Sequence, residues 1–231
     1  MTAQASNSRG KAALILDFGG VVTRTLFETH DLTEKALGLS PGTLTWLGPF
    51  DTSTDSLWIS MQNREITERD YWMTRTSEVG NLVGESWSSM VEFVQRARGA
   101  EPELVLRPEA RAAILAAKAA GKKLAILSNE LDLFYGVEFR QCFPLIDLFD
   151  VIVDATYTKI LKPDPRAYEL CLESLGLAAA DCVFVDDQLK NVEGSIACGI
   201  ATVHFDVTAP GKSYAVALAL LGLNEMDDND A

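Results

Sequence analysis

The chain has 231 residues, enough for one large domain or for one domain that carries an insert. Hydrophobic residues make up 48% and charged residues 23%, so an apolar core can form and disorder of the whole chain is excluded. The 33 acidic residues outnumber the 20 basic residues and give a net charge of −13. Because a nucleic-acid-binding surface needs clustered Lys and Arg, this balance argues against such a partner.

The first part of the chain contains one predicted strand, followed by a long helical zone. Residues 1–10 are small and polar, and we expect a flexible terminus there. The apolar run 12–18 predicts a strand. From residue 26 to about 100 the pattern is helical and contains all four tryptophans. Thr67 and Ser86 are typical of helix starts.

After the helical zone, short apolar runs alternate with helical patterns. The predicted strands cover residues 123–128, 149–153, 182–186 and 201–205. The predicted helices cover residues 108–120, 131–139, 165–175, 191–198 and 214–221. Apolar strands that alternate with helices indicate a parallel sheet covered on both faces.

The predicted fold class is therefore α/β, a Rossmann-like parallel sheet core with an inserted all-helical cap. The core consists of residues 11–22 and 106–223, and the cap consists of residues 23–105. Residues 224–231 form an acidic segment that we expect to be a second flexible terminus.

The cysteines and the apolar runs bear on localisation. The four cysteines show no CxxC spacing and lie in apolar or helical contexts, which favours reduced core thiols: Cys142, Cys171, Cys182 and Cys198. No apolar run approaches the ~18–20 residues of a membrane span, and no signal peptide is visible. We expect a cytoplasmic protein without a membrane partner, either a monomer or a homodimer.

Polar residues collect where the predicted strands end. Taken singly, each could be a helix cap or an ordinary loop residue. Ligands of open α/β sheets bind at the carboxyl ends of the strands, so together these residues indicate a site. The candidates are Asp17, Gly19, Gly20, Ser128, Asn129, Lys162, Asp186 and Asp187.

The chemistry of these residues is mutually consistent. Three carboxylates near one point, from Asp17, Asp186 and Asp187, cannot all stay ionised without compensation, and Mg²⁺ supplies it through oxygen ligands. A carboxylate such as Asp17 can attack phosphorus. The polar groups of Ser128 and Asn129 can donate to phosphoryl oxygens, and glycines let the backbone approach a ligand closely. Positive charge on a lysine steadies both phosphate and carboxylates.

Four motifs carry a family resemblance over about residues 11–223. They are DFGGV at 17–21, LSN at 127–129, KPDPRAY at 162–168 and VFVDDQLKNVEGS at 183–195. In this order the chain resembles the haloacid dehalogenase-like (HAD) hydrolase superfamily, subfamily I, with a helical cap of the C1 type. The resemblance implies a Mg²⁺-dependent phosphatase that acts on a small phosphorylated metabolite through an aspartyl-phosphate.

The resemblance also implies a role for each matching residue. Asp17 is the nucleophile and a metal ligand, and Gly19 offers its backbone carbonyl to the metal. Asp187 is a metal ligand, with Asp186 in or just behind the coordination shell. Lys162 is a catalytic residue that also binds phosphate, together with Ser128 and Asn129. Asn191 occupies the place where some members have a further acid.

One position departs from the pattern of phosphatases in this family. They usually have an aspartate two residues after the nucleophile, as acid and base, and this chain has Gly19. General acid–base help is worth ~10²–10⁴-fold, so we expect slow turnover unless the substrate has a good leaving group or another group supplies the proton. Two alternatives stay open. One is a weak or inactive member that binds a ligand or protein partner, and the other is a dehalogenase or other carbon-centred hydrolase.

The cap is expected to determine substrate specificity. Its tryptophans either pack the cap helices together or line a substrate pocket, and packing is the favoured interpretation for most of them. His30 lies shortly after the first motif and is a candidate for the missing acid and base, while a hinge or solvated role is the alternative.

Overall fold

A computed structural model describes residues 10–98 and 102–223 of the chain. Its centre is a sheet of five parallel strands in the order β3-β2-β1-β4-β5. The strands are β1 (Ala13–Leu16), β2 (Lys123–Ser128), β3 (Val151–Asp154), β4 (Cys182–Asp186) and β5 (Ala201–His204). The predicted α/β fold with a parallel sheet is confirmed.

Helices that follow the strands cover both faces of the sheet, as crossover connections require. In chain order they are α6 (Pro108–Ala119), α7 (Leu131–Tyr135), α8 (Val137–Cys142), α9 (Ala155–Thr158), α10 (Pro165–Leu175), α11 (Leu189–Ala197) and α12 (Pro210–Leu220). Successive strand residues point to opposite faces. Leu14 and Leu16 of β1 therefore pack in the cluster that holds α6 and α12, whereas Ile15 packs in the cluster that holds α10.

Five α-helices of the described residues lie between β1 and α6. They are α1 (His30–Leu37), α2 (Ser56–Gln62), α3 (Glu68–Leu82), α4 (Met90–Arg98) and α5 (Pro102–Val105). The chain leaves the sheet and returns to it along two paired segments, where Thr23 forms an antiparallel bridge with Leu106. The tryptophans pack with Phe27 and Tyr71 in a separate apolar cluster, with Trp46 and Trp87 buried, so packing is the role that the structure shows for them.

Several local expectations need correction. The strand predicted at 12–18 is shorter, because the chain turns away at Asp17. Gly136, with φ 82°, divides the helix predicted at 131–139 into α7 and α8. The side chain that accepts from the start of α4 is Ser89, not Ser86, since Ser89 Oγ accepts from the Val91 N–H at 3.2 Å.

The cysteines are free, but not all of them are core thiols. Cys171 and Cys182 are buried, Cys198 is half-buried and Cys142 is exposed at the end of α8. The expectation of four core thiols is therefore wrong for Cys142, because a helix of one and a half turns leaves its last residue in solvent.

The predicted termini, apart from Gly10, lie outside the described residues. The domain boundaries stay a prediction. In the part of the chain that the structure describes, no helix has the length and apolar character needed to cross a membrane.

Candidate active site

The candidate residues meet at the carboxyl end of the sheet. Asp17 directly follows the central strand β1, and the parallel register places it level with Asp186 at the end of β4. Ser128 ends β2, the neighbour of β1 on the other side. Lys162 enters from the loop between α9 and α10, and its ammonium group reaches Asp17. These positions follow from the fold, because parallel strands end at one edge of the sheet.

The loop after β1 is shaped by Gly20. Its φ of 79° lies in the left-handed region, and a Cβ at this position would lie 2.7 Å from Asp187 Oδ2. Only glycine avoids both the backbone strain and the clash. Arg107 fixes the loop from behind, because its NH2 donates to the Gly20 carbonyl at 3.0 Å. The loop therefore brings backbone directly beside the Asp187 carboxylate.

Three carboxylates and one lysine form the centre of the site. One oxygen each of Asp17, Asp186 and Asp187 lies within 4.8 Å of the others. Lys162 Nζ donates to Asp17 Oδ1 at 2.8 Å and to Asp186 Oδ2 at 2.6 Å. Lys162 is 3% exposed and Asp17 is 9% exposed, so water screens these charges poorly. One cation faces three anions, and the cluster holds uncompensated negative charge.

The protonation equilibria reflect burial first and this excess of negative charge second. Burial, with a further contribution from Asp186, raises the pKa of Asp17 to about 6, although Lys162 acts in the opposite direction. Burial and the charges of Asp17 and Asp186 raise the pKa of Asp187 well above its usual value. Burial alone would lower the pKa of Lys162, but the two aspartates raise it above its usual value. The lysine is therefore a fixed positive charge.

These residues fit a hard divalent cation such as Mg²⁺. The donors are carboxylate oxygens, which Mg²⁺ prefers, and the cluster lacks positive charge. The Asp186 carboxylate is the least available, because it accepts from Lys162, from the Gln188 N–H at 2.8 Å and from Asn191 Nδ2 at 3.1 Å. Asp17 and Asp187 could hold the ion, with Asp186 just behind them. The backbone carbonyl of Gly19 stays a predicted ligand.

The amide of Asn129 holds the backbone of Lys162. Asn129 Oδ1 accepts from the Lys162 N–H at 2.7 Å, and Asn129 Nδ2 donates to the Lys162 carbonyl at 3.1 Å. This reciprocal pair positions the lysine over the carboxylates. Asn129 Nδ2 has a second hydrogen, and a bond from that hydrogen to phosphate stays a prediction. Ser128 Oγ accepts a long bond from the Glu130 N–H at 3.4 Å, and its own proton remains a predicted donor to phosphate.

Gly19 opens the loop toward solvent. It is exposed, with an ordinary φ of −70°, so the backbone does not require glycine there. A Cβ would meet only the Tyr135 hydroxyl, at 3.9 Å. The absence of an acid at position 19 is therefore a feature of the sequence and is not imposed by the loop.

Some contacts around the site could not be predicted from the sequence. His204 at the end of β5 lies with Nε2 3.1 Å from the Asp187 carbonyl. From α3, Glu68 accepts from Gln188 Nε2 at 2.5 Å and from Lys190 Nζ at 3.3 Å.

His30 packs edge-on against Trp46, with ring centroids 4.4 Å apart, and burial lowers its pKa. None of the described contacts of His30 involves the carboxylates of Asp17, Asp186 or Asp187, so its role as the acid and base stays a prediction.

The sequence comparison identifies the family of this site. A family model for haloacid dehalogenase-like hydrolases matches residues 11–199, and this segment contains every candidate residue discussed above. The chain belongs to the haloacid dehalogenase-like hydrolase family. As a HAD-like hydrolase, it has an acidic cluster and a lysine at the strand ends of the family's parallel sheet.

Two relatives show how much of other proteins this HAD-like chain matches. It is 36% identical to phosphatase MT3486 of Mycobacterium tuberculosis over 99 residues, 43% of the chain and 46% of that protein. It is 30% identical to mouse acyl-CoA dehydrogenase family member 10 over 221 residues, 94% of the chain and 20% of that protein. The chain thus spans less than half the length of these relatives.

A solved structure shares the fold. The L-2-haloacid dehalogenase of Xanthobacter autotrophicus superposes with a TM-score of 0.54 at 20% identity, over 84% of this chain and 77% of that one. At this identity the match bears on the fold alone.

Proposed function

We propose that the protein is a Mg²⁺-dependent phosphatase that acts on a small phosphorylated metabolite. The observation that carries the proposal is the buried cluster in which Lys162 bridges Asp17 and Asp186 while Asp187 stands beside them. A reaction at carbon needs no further negative charge next to the nucleophile. A metal-assisted transfer of a phosphoryl group uses such charge to bind the cation.

Each residue of the site has its own role in the proposed reaction. Lys162 occupies Asp17 Oδ1, which leaves Oδ2 to attack phosphorus. The attack forms an oxygen–phosphorus bond to Asp17 and breaks the bond to the leaving oxygen. Ser128 can donate to a phosphoryl oxygen, and Asn129 keeps Lys162 in place. Bound Mg²⁺ would supply positive charge to the phosphoryl oxygens. Water then hydrolyses the aspartyl-phosphate.

Removal of the nucleophile tests this proposal. We expect Asp17→Asn to lower Mg²⁺-dependent phosphate release from sugar, acyl and p-nitrophenyl phosphates by more than about 10³-fold, because the amide cannot form the covalent intermediate. The matched control is Asp164→Asn, an acid-to-amide change in the exposed ion pair with Arg166. Asparagine caps a helix as well as aspartate does, so this control should keep wild-type activity. Release that survives in Asp17→Asn, or in EDTA, would contradict the proposal.

Gly19 favours a second candidate, a dehalogenase or other carbon-centred hydrolase. When Asp17 attacks carbon and forms an ester, the halide leaves as an anion and needs no proton donor. The absence of an acid at position 19 therefore does not slow that step. This candidate predicts halide release from 2-haloacids that persists in EDTA. A third outcome, a folded protein that binds Mg²⁺ without turnover on either panel, would favour a binding role.

A further inference from the structure

The side chain closest to the open position at Gly19 is Tyr135. This residue ends α7, directly after the motif that contributes Ser128. Its ring packs edge-on against Phe18, the neighbour of Asp17, with centroids 5.2 Å apart, and lies 4.8 Å from the Phe139 ring. These contacts fix the ring between the sheet core and the inserted helices. They direct its hydroxyl to the loop that carries the nucleophile.

The hydroxyl of Tyr135 is held at the loop by a second contact. Its oxygen lies 3.3 Å from Thr23 Oγ1, and Thr23 Oγ1 lies 3.4 Å from the Phe18 carbonyl. Either hydroxyl can donate in the contact between Thr23 and Tyr135, and when Thr23 donates, the phenol keeps its own proton for a substrate. Thr23 is completely buried, so this partner is fixed. The phenol oxygen is thus held beside the exposed Gly19, 3.9 Å from where a Cβ at that position would lie.

This position lies on the open side of the loop that carries the nucleophile. Lys162 covers one side of Asp17, and β4 covers another through the bond from the Asp17 N–H to the Val185 carbonyl at 2.9 Å. Gly19 is the exposed part of the loop. Gly19 and the Tyr135 hydroxyl beside it therefore lie on the side of the loop that is open to a substrate.

Three other polar side chains at the centre already have partners or predicted roles, and the Ser128 hydroxyl is the predicted donor to phosphate. The Lys162 ammonium is held between two carboxylates, and the amide of Asn129 holds the backbone of Lys162. Asp187 belongs to the acidic cluster. A phenol is a recognised proton donor and acceptor in catalysis.

We propose that Tyr135 is the general acid and base of the reaction at Asp17, in the place that Gly19 leaves open. In the first step the Tyr135 O–H bond breaks and its proton passes to the leaving oxygen as the bond from that oxygen to phosphorus breaks. In the second step the phenolate takes a proton from the water that attacks phosphorus, and the bond between Asp17 and phosphorus breaks. The phenol is restored and the atoms balance. This role rests on the proposed phosphatase function.

The test compares leaving groups in Tyr135→Phe, which keeps the ring and its packing. A poor leaving group such as an alkoxide needs the proton, whereas p-nitrophenolate does not. We expect kcat/KM for alkyl phosphates to fall about 10²-fold and that for p-nitrophenyl phosphate to change by less than about threefold. The control is Tyr157→Phe, which removes the same hydroxyl from an exposed tyrosine bonded to Asp132 at 2.7 Å.

A second variant shows whether a loss of activity in Tyr135→Phe comes from the missing proton donor or from a damaged fold. Gly19→Asp adds a carboxyl group with ordinary φ and a free approach. In the Tyr135→Phe background it should recover at least about tenfold of the lost activity on alkyl phosphates. Equal losses on both substrate classes, no loss on either, or no recovery by Gly19→Asp would overturn the role of Tyr135. An inactive wild type would instead defeat the phosphatase proposal, and the role of Tyr135 with it.

Discussion

At the scale of single residues, Gly20 is the position where sequence and geometry are most tightly linked. We expect Gly20→Ala to abolish measurable Mg²⁺ binding, because its Cβ would lie 2.7 Å from Asp187 Oδ2 and displace that carboxylate. The positive φ adds about 1–2 kcal/mol of backbone strain. Isothermal calorimetry measures the affinity for Mg²⁺, and urea denaturation measures the stability.

Gly38→Ala is the matched control for this prediction. Gly38 ends α1 with φ 69°, and a Cβ there would meet no atom within 4 Å. The control should lose about the same backbone energy and keep the affinity for Mg²⁺. Equal affinities in the two variants would show that Asp187 does not hold the ion.

The sequence predicts which residues converge better than it predicts their contacts. Asp17 and Asp186 directly follow or end apolar strands, so their meeting follows from the parallel sheet. The partner of Asn129 could not be predicted in this way. An amide can serve a ligand or a backbone, and the choice depends on the path of the loop that carries Lys162. The position of Tyr135 could not be predicted from the sequence, because its hydroxyl reaches the site only through the packing of α7 on Phe18.

At the scale of elements, one buried ion pair ties the start of α6 to the start of the inserted helices. Arg107, 2% exposed, donates to both carboxylate oxygens of Glu28 at 2.8 and 2.7 Å. We expect Arg107→Met to lower the free energy of unfolding by about 3 kcal/mol, because it leaves the Glu28 charge without its partner. Urea denaturation measures the change.

Two further variants separate this pair from an ordinary surface pair. Arg166→Met breaks an exposed pair with Asp164 and should cost less than about 1 kcal/mol. Adding Glu28→Gln to Arg107→Met removes the stranded charge and should restore part of the loss. If Arg107→Met and Arg166→Met cost the same, the buried pair does not join the two segments.

Element boundaries could be predicted where local chemistry sets them. The helix 165–175 begins at a proline capped by Asp164 and ends before Gly176 with φ 65°, as the sequence predicts. The break at Gly136 could not be predicted, because an isolated glycine inside an apolar pattern is compatible with a continuous helix. Its φ of 82° is one that glycine adopts readily, and it lets Leu131 of α7 and Phe139 of α8 pack in the same apolar cluster.

At the scale of the whole molecule, the proposed function has a cost in stability. The pKa of Asp17 rises from 3.8 to about 6 in the fold, chiefly through burial. A carboxyl with a raised pKa favours the fold when it is protonated, and that contribution is lost as pH rises through about 6. The metal-free protein at pH 8 therefore carries an unfavourable buried charge.

Asp17→Asn removes this charge, so its effect on Tm should depend on pH. We expect the metal-free variant to melt at a higher temperature than the wild type at pH 8, and the difference to shrink toward zero at about pH 3 and below, where Asp17 is mostly protonated in both states. Mg²⁺ should reverse the order at pH 8, because it binds the ionised cluster and stabilises the wild type by mass action. Differential scanning calorimetry at the two pH values, with EDTA or Mg²⁺, measures all of these. A variant that melts below the wild type in EDTA at pH 8 would mean that the bond to Lys162 outweighs the burial of Asp17, and that the cluster is stable without a cation.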